Sequence, residues 1–270
     1  MRRHSTRIFG GMLALGLLSP VPALPQTYSF EAIGGCEPYG INDQGVVAGF
    51  CNTPPALQGF VYADGTTTLV TDPLDPSGST FLYGIDDEGV IVGSSGARSF
   101  LLRNGVYRTI TDASSTFYLG PAGINNKGAF AGTLTTSAGN SGFVFASKQI
   151  TRLTNPVNSI NDSQDVVGAT GSPAGEVGYQ IVGGEYSTFS VPNSTGTYPM
   201  GINDQGTISG WYGGQETTHG FVLRHGKYAT VDYPGAGFTY LGGVNRSGQV
   251  VGYGGIINGG VVGFIATPMP

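Results

Sequence analysis

Six times along the chain an aliphatic residue is followed by Asn or Asp and, seven residues after that, by Gly. The anchors are Asn42, Asp86, Asn125, Asn161, Asn203 and Asn245, spaced 44, 39, 36, 42 and 42 residues apart. Ile41, Ile85, Ile124, Ile160, Ile202 and Val244 precede them, and Gly49, Gly93, Gly132, Gly168, Gly210 and Gly252 follow. A period near forty built from strand-like units marks a radial repeat fold, and no other feature narrows the architecture as far.

Aligned on the anchor, the copies share further columns. Gly or Ser stands two before it, as Gly40, Gly84, Gly123, Ser159, Gly201 and Gly243. Gly stands three after it in five copies, with Gln164 in the fourth. Asn-Asp-x-Gly between β-branched runs is hairpin chemistry, the polar residues starting the turn and Gly taking the positive φ. A third strand is marked by Gly59-Phe60, Ser99-Phe100, Gly142-Phe143, Gly178-Tyr179, Gly220-Phe221 and Gly263-Phe264. After a second turn comes an alternating fourth strand, such as Thr67-Thr68-Leu69-Val70, which suits a half-buried outer position. Four antiparallel strands in about 42 residues make a propeller blade.

The sixth copy stops after its third strand, while Tyr28-Ser29-Phe30-Glu31-Ala32-Ile33 precedes the first anchor without earlier partners. The N-terminal segment therefore completes the sixth blade and closes a ring. A solenoid of six stacked units would leave both half-blades unexplained. The expectation is an all-β, six-bladed β-propeller.

The phrase Gly-Ile-Asn-x-x-Gly-x-Val-x-Gly followed by Gly-Phe-Val/Leu resembles the bacterial extracellular HAF-repeat family, named for a His-Ala-Phe tripeptide. The likeness covers nearly the whole chain after its first residues. Here the tripeptide survives only as His219-Gly220-Phe221, with Gln58-Gly59-Phe60 and Arg98-Ser99-Phe100 elsewhere. The resemblance implies a propeller-like repeat and an extracellular compartment, and carries no activity to transfer.

The chain opens with Arg2, Arg3 and Arg7, an apolar run from Ile8 to Leu18, and Val21-Pro22-Ala23. This reads as a cleaved signal peptide over residues 1–23, with a single domain over 24–270. Without the leader nine basic residues face seventeen acidic ones, a net charge of −8. That balance argues against nucleic acid and anionic membranes as partners. No later apolar run has membrane length, so the mature protein is expected to be secreted or periplasmic, monomeric and not inserted in a membrane.

Cys36 and Cys51 flank the first hairpin. A two-residue loop at Asp43-Gln44 sets them opposite each other, and a bulged loop shifts them by one; either leaves them within disulfide reach. In an exported chain with no other Cys, a bridge is the default. Two Cys alone lack the ligands for zinc, and beyond the leader only His219 and His225 remain. His225 falls in a turn, and His219 shares a column with Gln58 and Arg98. No metal and no cofactor is expected.

Asp43, Asp86, Asp87, Asp162 and Asp204 read as turn residues. Asp72, Asp75, Asp112, Glu176, Glu216 and Asp232 fall in the longer connections, which emerge on one face with Arg98, Trp211, Tyr212, Tyr118, Tyr198, Tyr233 and Tyr240. Irregular loops over a rigid scaffold are where function collects. The fifth copy breaks the repeat with Trp211, Glu216 and His219 inside nine residues. Trp211, Tyr212, Glu216, His219 and Tyr240 are the candidate ligand-binding residues, and none is read as catalytic. The expected function is an exported binding module for a glycan or surface polymer. The alternatives are a polysaccharide hydrolase or lyase using two loop acids, and a structural surface or matrix protein.

Overall fold

The computed structural model describes residues 27–75, 78–110, 118–137, 139–173, 175–256 and 259–270. The expected signal peptide and Asp112 lie outside them, as does the Tyr118 side chain. Strand β1 (Tyr28–Gly34) comes first in the chain but belongs to the last blade. Blade 1 is β2 (Cys36–Ile41), β3 (Val47–Thr53), β4 (Ala56–Ala63) and β5 (Thr66–Val70). Blade 2 is β6 (Thr80–Ile85), β7 (Ile91–Ser95), β8 (Arg98–Arg103) and β9 (Val106–Ile110). Blade 3 is β10 (Tyr118–Ile124), β11 (Phe130–Thr136), β12 (Gly139–Ala146) and β13 (Gln149–Leu153). Blade 4 is β14 (Ser159–Ile160), β15 (Val166–Ser172), β16 (Gly175–Val182) and β17 (Glu185–Phe189). Blade 5 is β18 (Gly196–Ile202), β19 (Ile208–Gly213), β20 (Thr218–Arg224) and β21 (Lys227–Thr230). Blade 6 is β22 (Ala236–Val244), β23 (Val250–Ile256), β24 (Val261–Pro268) and β1. Every blade is an antiparallel meander, and the six form a closed propeller.

The repeat columns have physical causes. A Cβ on Gly49, Gly93, Gly132, Gly168, Gly210 or Gly252 would stand 2.0–2.4 Å from a carbonyl oxygen of the strand or connection on the channel side. Only Gly allows that approach. The aromatic of the third strand (Phe60, Phe100, Phe143, Tyr179, Phe221, Phe264) is fully buried. The core divides into six clusters, each at a junction between adjacent blades, and five of them contain one of these rings. Ile33 and Ile265 of blade 6 pack with Ile41, Val47 and Phe60 of blade 1, so the junction across the chain ends has a core like the others.

The ring closes through β1, whose Tyr28–Ala32 run pairs antiparallel with Phe264–Pro268. Phe30 sets its ring against Phe264 and Tyr233, with centroids 5.4 and 5.5 Å apart. The anchor turn is longer than a two-residue hairpin: Ile41 pairs Val47 across a loop closed by Gly45 N–H donating to the Asn42 carbonyl at 3.0 Å. A bulge at Tyr39 then shifts the register back by one, and Cys36 faces Cys51 in a disulfide with Cα atoms 4.3 Å apart. Two-residue turns occur instead between third and fourth strands. There Asp64-Gly65, Asn104-Gly105 and His225-Gly226 all take positive φ. The fourth strands β9, β13 and β21 are half-buried as expected, whereas Thr66–Leu69 of β5 is exposed throughout.

Candidate functional site

The first strands of the blades line a central channel, and each mouth is built by a different part of the repeat. At the turn-side mouth the anchor Oδ1 accepts the N–H four residues later at 2.8–3.0 Å in every blade. Its Nδ2 then donates to the anchor carbonyl of the following blade. Asn42 reaches Asp86, Asn125 reaches Asn161, Asn161 reaches Asn203, Asn203 reaches Asn245, and Asn245 returns to Asn42, at 2.8–3.3 Å. Asp86 has no N–H to pass on. Burial, its largest influence, pushes its carboxyl above the ordinary value, while N–H donors from Val90 and Glu88 pull it down.

A second ring lies just outside. The N–H groups of Asp43, Asp87, Asn126, Asp162 and Arg246 donate to the side-chain Oδ1 of Asp87, Asn126, Asp162, Asp204 and Asp43 at 2.7–2.8 Å. Arg246 offers no acceptor for the sixth link. Its guanidinium spans that gap, 3.6 Å from Asp43 Oδ2 and 3.5 Å from Asp204 Oδ2. The acids read as turn formers thus hold the turns to one another. The cavity between the rings measures about 90 Å³ and ends at Tyr39, Tyr83 and Met200. Among the described residues, no group of three or more His, Cys, Asp or Glu side chains could hold a metal ion.

The loop-side mouth is lopsided. Three columns line it: the residue five before the anchor, the bulge residue three before it, and the residue eight after it. In blades 1, 2, 5 and 6 these hold Tyr39 and Phe50, Phe81 and Tyr83, Tyr198 and Trp211, and Tyr240 and Tyr253. Blades 3 and 4 hold Gly120, Ala122 and Thr133, then Pro156, Asn158 and Ala169. The aromatic rings touch in an unbroken series. Phe81 lies 4.9 Å from Phe50, Phe50 stacks on Tyr39 at 5.3 Å, and Tyr39 meets Tyr253 at 6.4 Å. Tyr253 meets Tyr240 at 5.3 Å, Tyr240 stands edge-on to Trp211 at 4.9 Å, and Trp211 stacks on Tyr198 at 3.7 Å. All are half-buried. A cavity of about 40 Å³ opens among Tyr39, Met200, Trp211, Tyr240 and Tyr253.

One carboxylate interrupts this wall. Glu37 occupies the column that holds Phe81, Tyr198 and Tyr240, directly across from Phe50. Burial pushes its carboxyl up, opposed by a hydrogen bond from Tyr253. Burial and the Glu37 charge in turn push the Tyr39 hydroxyl up to about 12, and burial, then Tyr39 and Glu37 beside it, raise the Tyr253 hydroxyl as well. Among the described residues no basic side chain forms an ion pair with Glu37. At the far end of the wall Glu176 hydrogen-bonds Tyr198.

The structure divides the residues singled out in the sequence. Trp211 and Tyr240 come together in the wall. Tyr212, the next residue along β19, faces the opposite side, as strand alternation requires. It stacks on His219 at 5.3 Å and shares a 3.0 Å hydrogen bond with Thr230. His219 Nδ1 lies 2.7 Å from Asp232 Oδ2, the same link that Gln58 makes to Thr71 in blade 1. Glu216 is exposed on the β19–β20 loop. Several loop acids have structural duties. Asp72, fully buried, pairs with Arg98 and accepts the Leu74 N–H, and Asp75 accepts from Ser95 at 3.2 Å. Tyr233 packs on Phe264 at 5.1 Å. Tyr39, Phe50, Phe81, Tyr83, Tyr253 and Glu37 were not singled out. Comparing the columns five and three before the anchor and eight after it around the ring finds them.

The chain matches no family model and no curated protein. Its fold does match solved structures. A streptogramin B lyase superposes with a TM-score of 0.50 at 13% identity, covering 88% of this chain and 97% of that one. A gluconolactonase-like protein superposes at 0.54 and 15% identity, covering 92% and 93%. The likeness is one of fold.

Proposed function

We propose that this protein is an exported β-propeller that acts as a binding module, taking a glycan or surface polymer on its loop-side mouth. The observation that carries the reading is the unbroken series of half-exposed aromatic rings across four adjacent blades. Sugar rings stack on such faces, and a wall built on paired inner strands is held in place before any ligand arrives. Export is supported by the charged and apolar start of the chain and by the Cys36–Cys51 disulfide. The resemblance to HAF repeats points to the same compartment.

The polysaccharide-cleaving alternative needs free acids near the mouth. Asp72, Asp75 and Asp232 each hold a neighbouring side chain, and among the described residues Glu37 and Glu176 are the carboxylates that touch the rings of the wall. A glycan array read beside turnover assays on the same polymers tests the reading. Binding without release of new chain ends is expected; release of chain ends would overturn it in favour of the enzyme.

A further inference from the structure

Glu37 has no counterpart in the repeat. Where three other blades put an aromatic ring, blade 1 puts a carboxylate, and it stands among Tyr39, Phe50 and Tyr253, accepting a hydrogen bond from Tyr253. A half-buried carboxylate is normally matched by an arginine or lysine, because desolvating a lone charge is costly. No basic side chain forms an ion pair with this one among the described residues. The π-faces around it have the same preference, since a ring quadrupole attracts cations. Carboxylate and rings together favour a positive group. Glu176 beside Tyr198 adds a second carboxylate to the wall, which disfavours an acidic polymer.

We propose that Glu37, with Tyr39, Phe50 and Tyr253, forms a subsite for an ammonium group, and that the saccharide bound at this mouth carries free amino groups. This rests on the reading of the mouth as a saccharide site. The ammonium nitrogen donates hydrogen bonds to the Glu37 carboxylate and lies against the rings, while the sugar chain runs along the wall toward Tyr240 and Trp211. The subsite gives the ligand its direction, because the carboxylate is off-centre in an otherwise apolar wall. It also excludes uronic-acid polymers, whose carboxylates would meet Glu37.

Trp211 is the only tryptophan and stands in the wall, so its fluorescence reports occupancy. The full mature protein is titrated with a glucosamine oligosaccharide and with its fully N-acetylated counterpart of equal length, at a pH below the amine pKa. The free-amine form is expected to bind about tenfold tighter or more. In Glu37→Gln that ratio falls to within about twofold of unity, while Glu185→Gln, which removes the same charge from the exposed outer strand β17, keeps it. Equal binding of the two oligosaccharides, or a ratio untouched in Glu37→Gln, overturns the subsite and leaves the saccharide reading standing. If neither oligosaccharide binds, ethanolamine, a primary ammonium without the sugar, is the deciding probe. Glu37-dependent ethanolamine binding keeps the ammonium subsite and overturns the saccharide; no ethanolamine binding overturns both. Tyr253→Phe, which removes only the hydroxyl, should weaken amine binding, and guards against a Glu37→Gln variant that fails to fold.

Discussion

Asp86 is the anchor that cannot pass a hydrogen bond to the next blade. Five Asn anchors around the channel donate Nδ2 to the following anchor carbonyl, and the Asp86 side chain, only 5% exposed, has no proton to give when ionised. Asp86→Asn should restore the sixth link and stabilise the protein by about 1 kcal/mol near neutral pH, or roughly 2–4 °C in Tm. Burial raises this carboxyl above its ordinary 3.8, so the fold prefers the neutral acid. Its contribution is intact below the ordinary value and is lost as pH rises through the raised one. The Tm advantage of Asp86→Asn over the parent should therefore be larger at neutral pH than in acid, read from paired thermal melts. A difference that is absent, or the same at both, would contradict this. The turn role of the anchors was legible in the sequence, because an Asn-x-x-Gly phrase repeats its own chemistry. The ring they form was not, since it links residues 36 to 44 positions apart, and 203 apart where it closes, that only the folded ring brings together.

At the scale of the element, β1 and the first hairpin carry the closure. Removing residues 28–33 uncovers the β24 edge and the faces of Phe264 and Ile265, so aggregation or loss of cooperative unfolding should follow. A truncated protein that unfolds cooperatively as a monomer in a denaturant titration would contradict the closing role. The Cys36–Cys51 bridge constrains a loop with a sequence separation of 15 within one hairpin. Reduction should cost about 3 kcal/mol, or roughly 6–12 °C in Tm, and leave the circular dichroism of the folded state in place. Collapse on reduction would mean that the bridge carries more than its hairpin. The missing fourth strand was legible by counting strands in the last copy. The bulge at Tyr39 was not, because bulges leave no fixed sequence mark. It is this bulge that aims Tyr39 into the channel and sets Cys36 opposite Cys51, and its counterpart in β6 aims Tyr83 the same way.

Across the whole molecule, near-identical blades build a scaffold with one lopsided end. The turn-side mouth is laced by two hydrogen-bonded rings. The loop-side mouth is aromatic on blades 5, 6, 1 and 2 and lined by small or aliphatic residues on 3 and 4, apart from Asn158. The sequence pointed to that face and to Trp211 and Tyr240. It grouped them with Tyr212 and His219, which strand alternation places on the other side of β19, against blade 5 itself. The measurement that tests the account most directly compares glycan binding by two variants of the full mature protein. Trp211→Ala combined with Tyr240→Ala removes the centre of the wall, and Tyr212→Ala removes the ring behind it. The account predicts that binding falls about tenfold or more in the first and stays within about twofold of the parent in the second. Binding kept in the first variant and lost in the second would contradict it and move the ligand to the Tyr212–His219 pair.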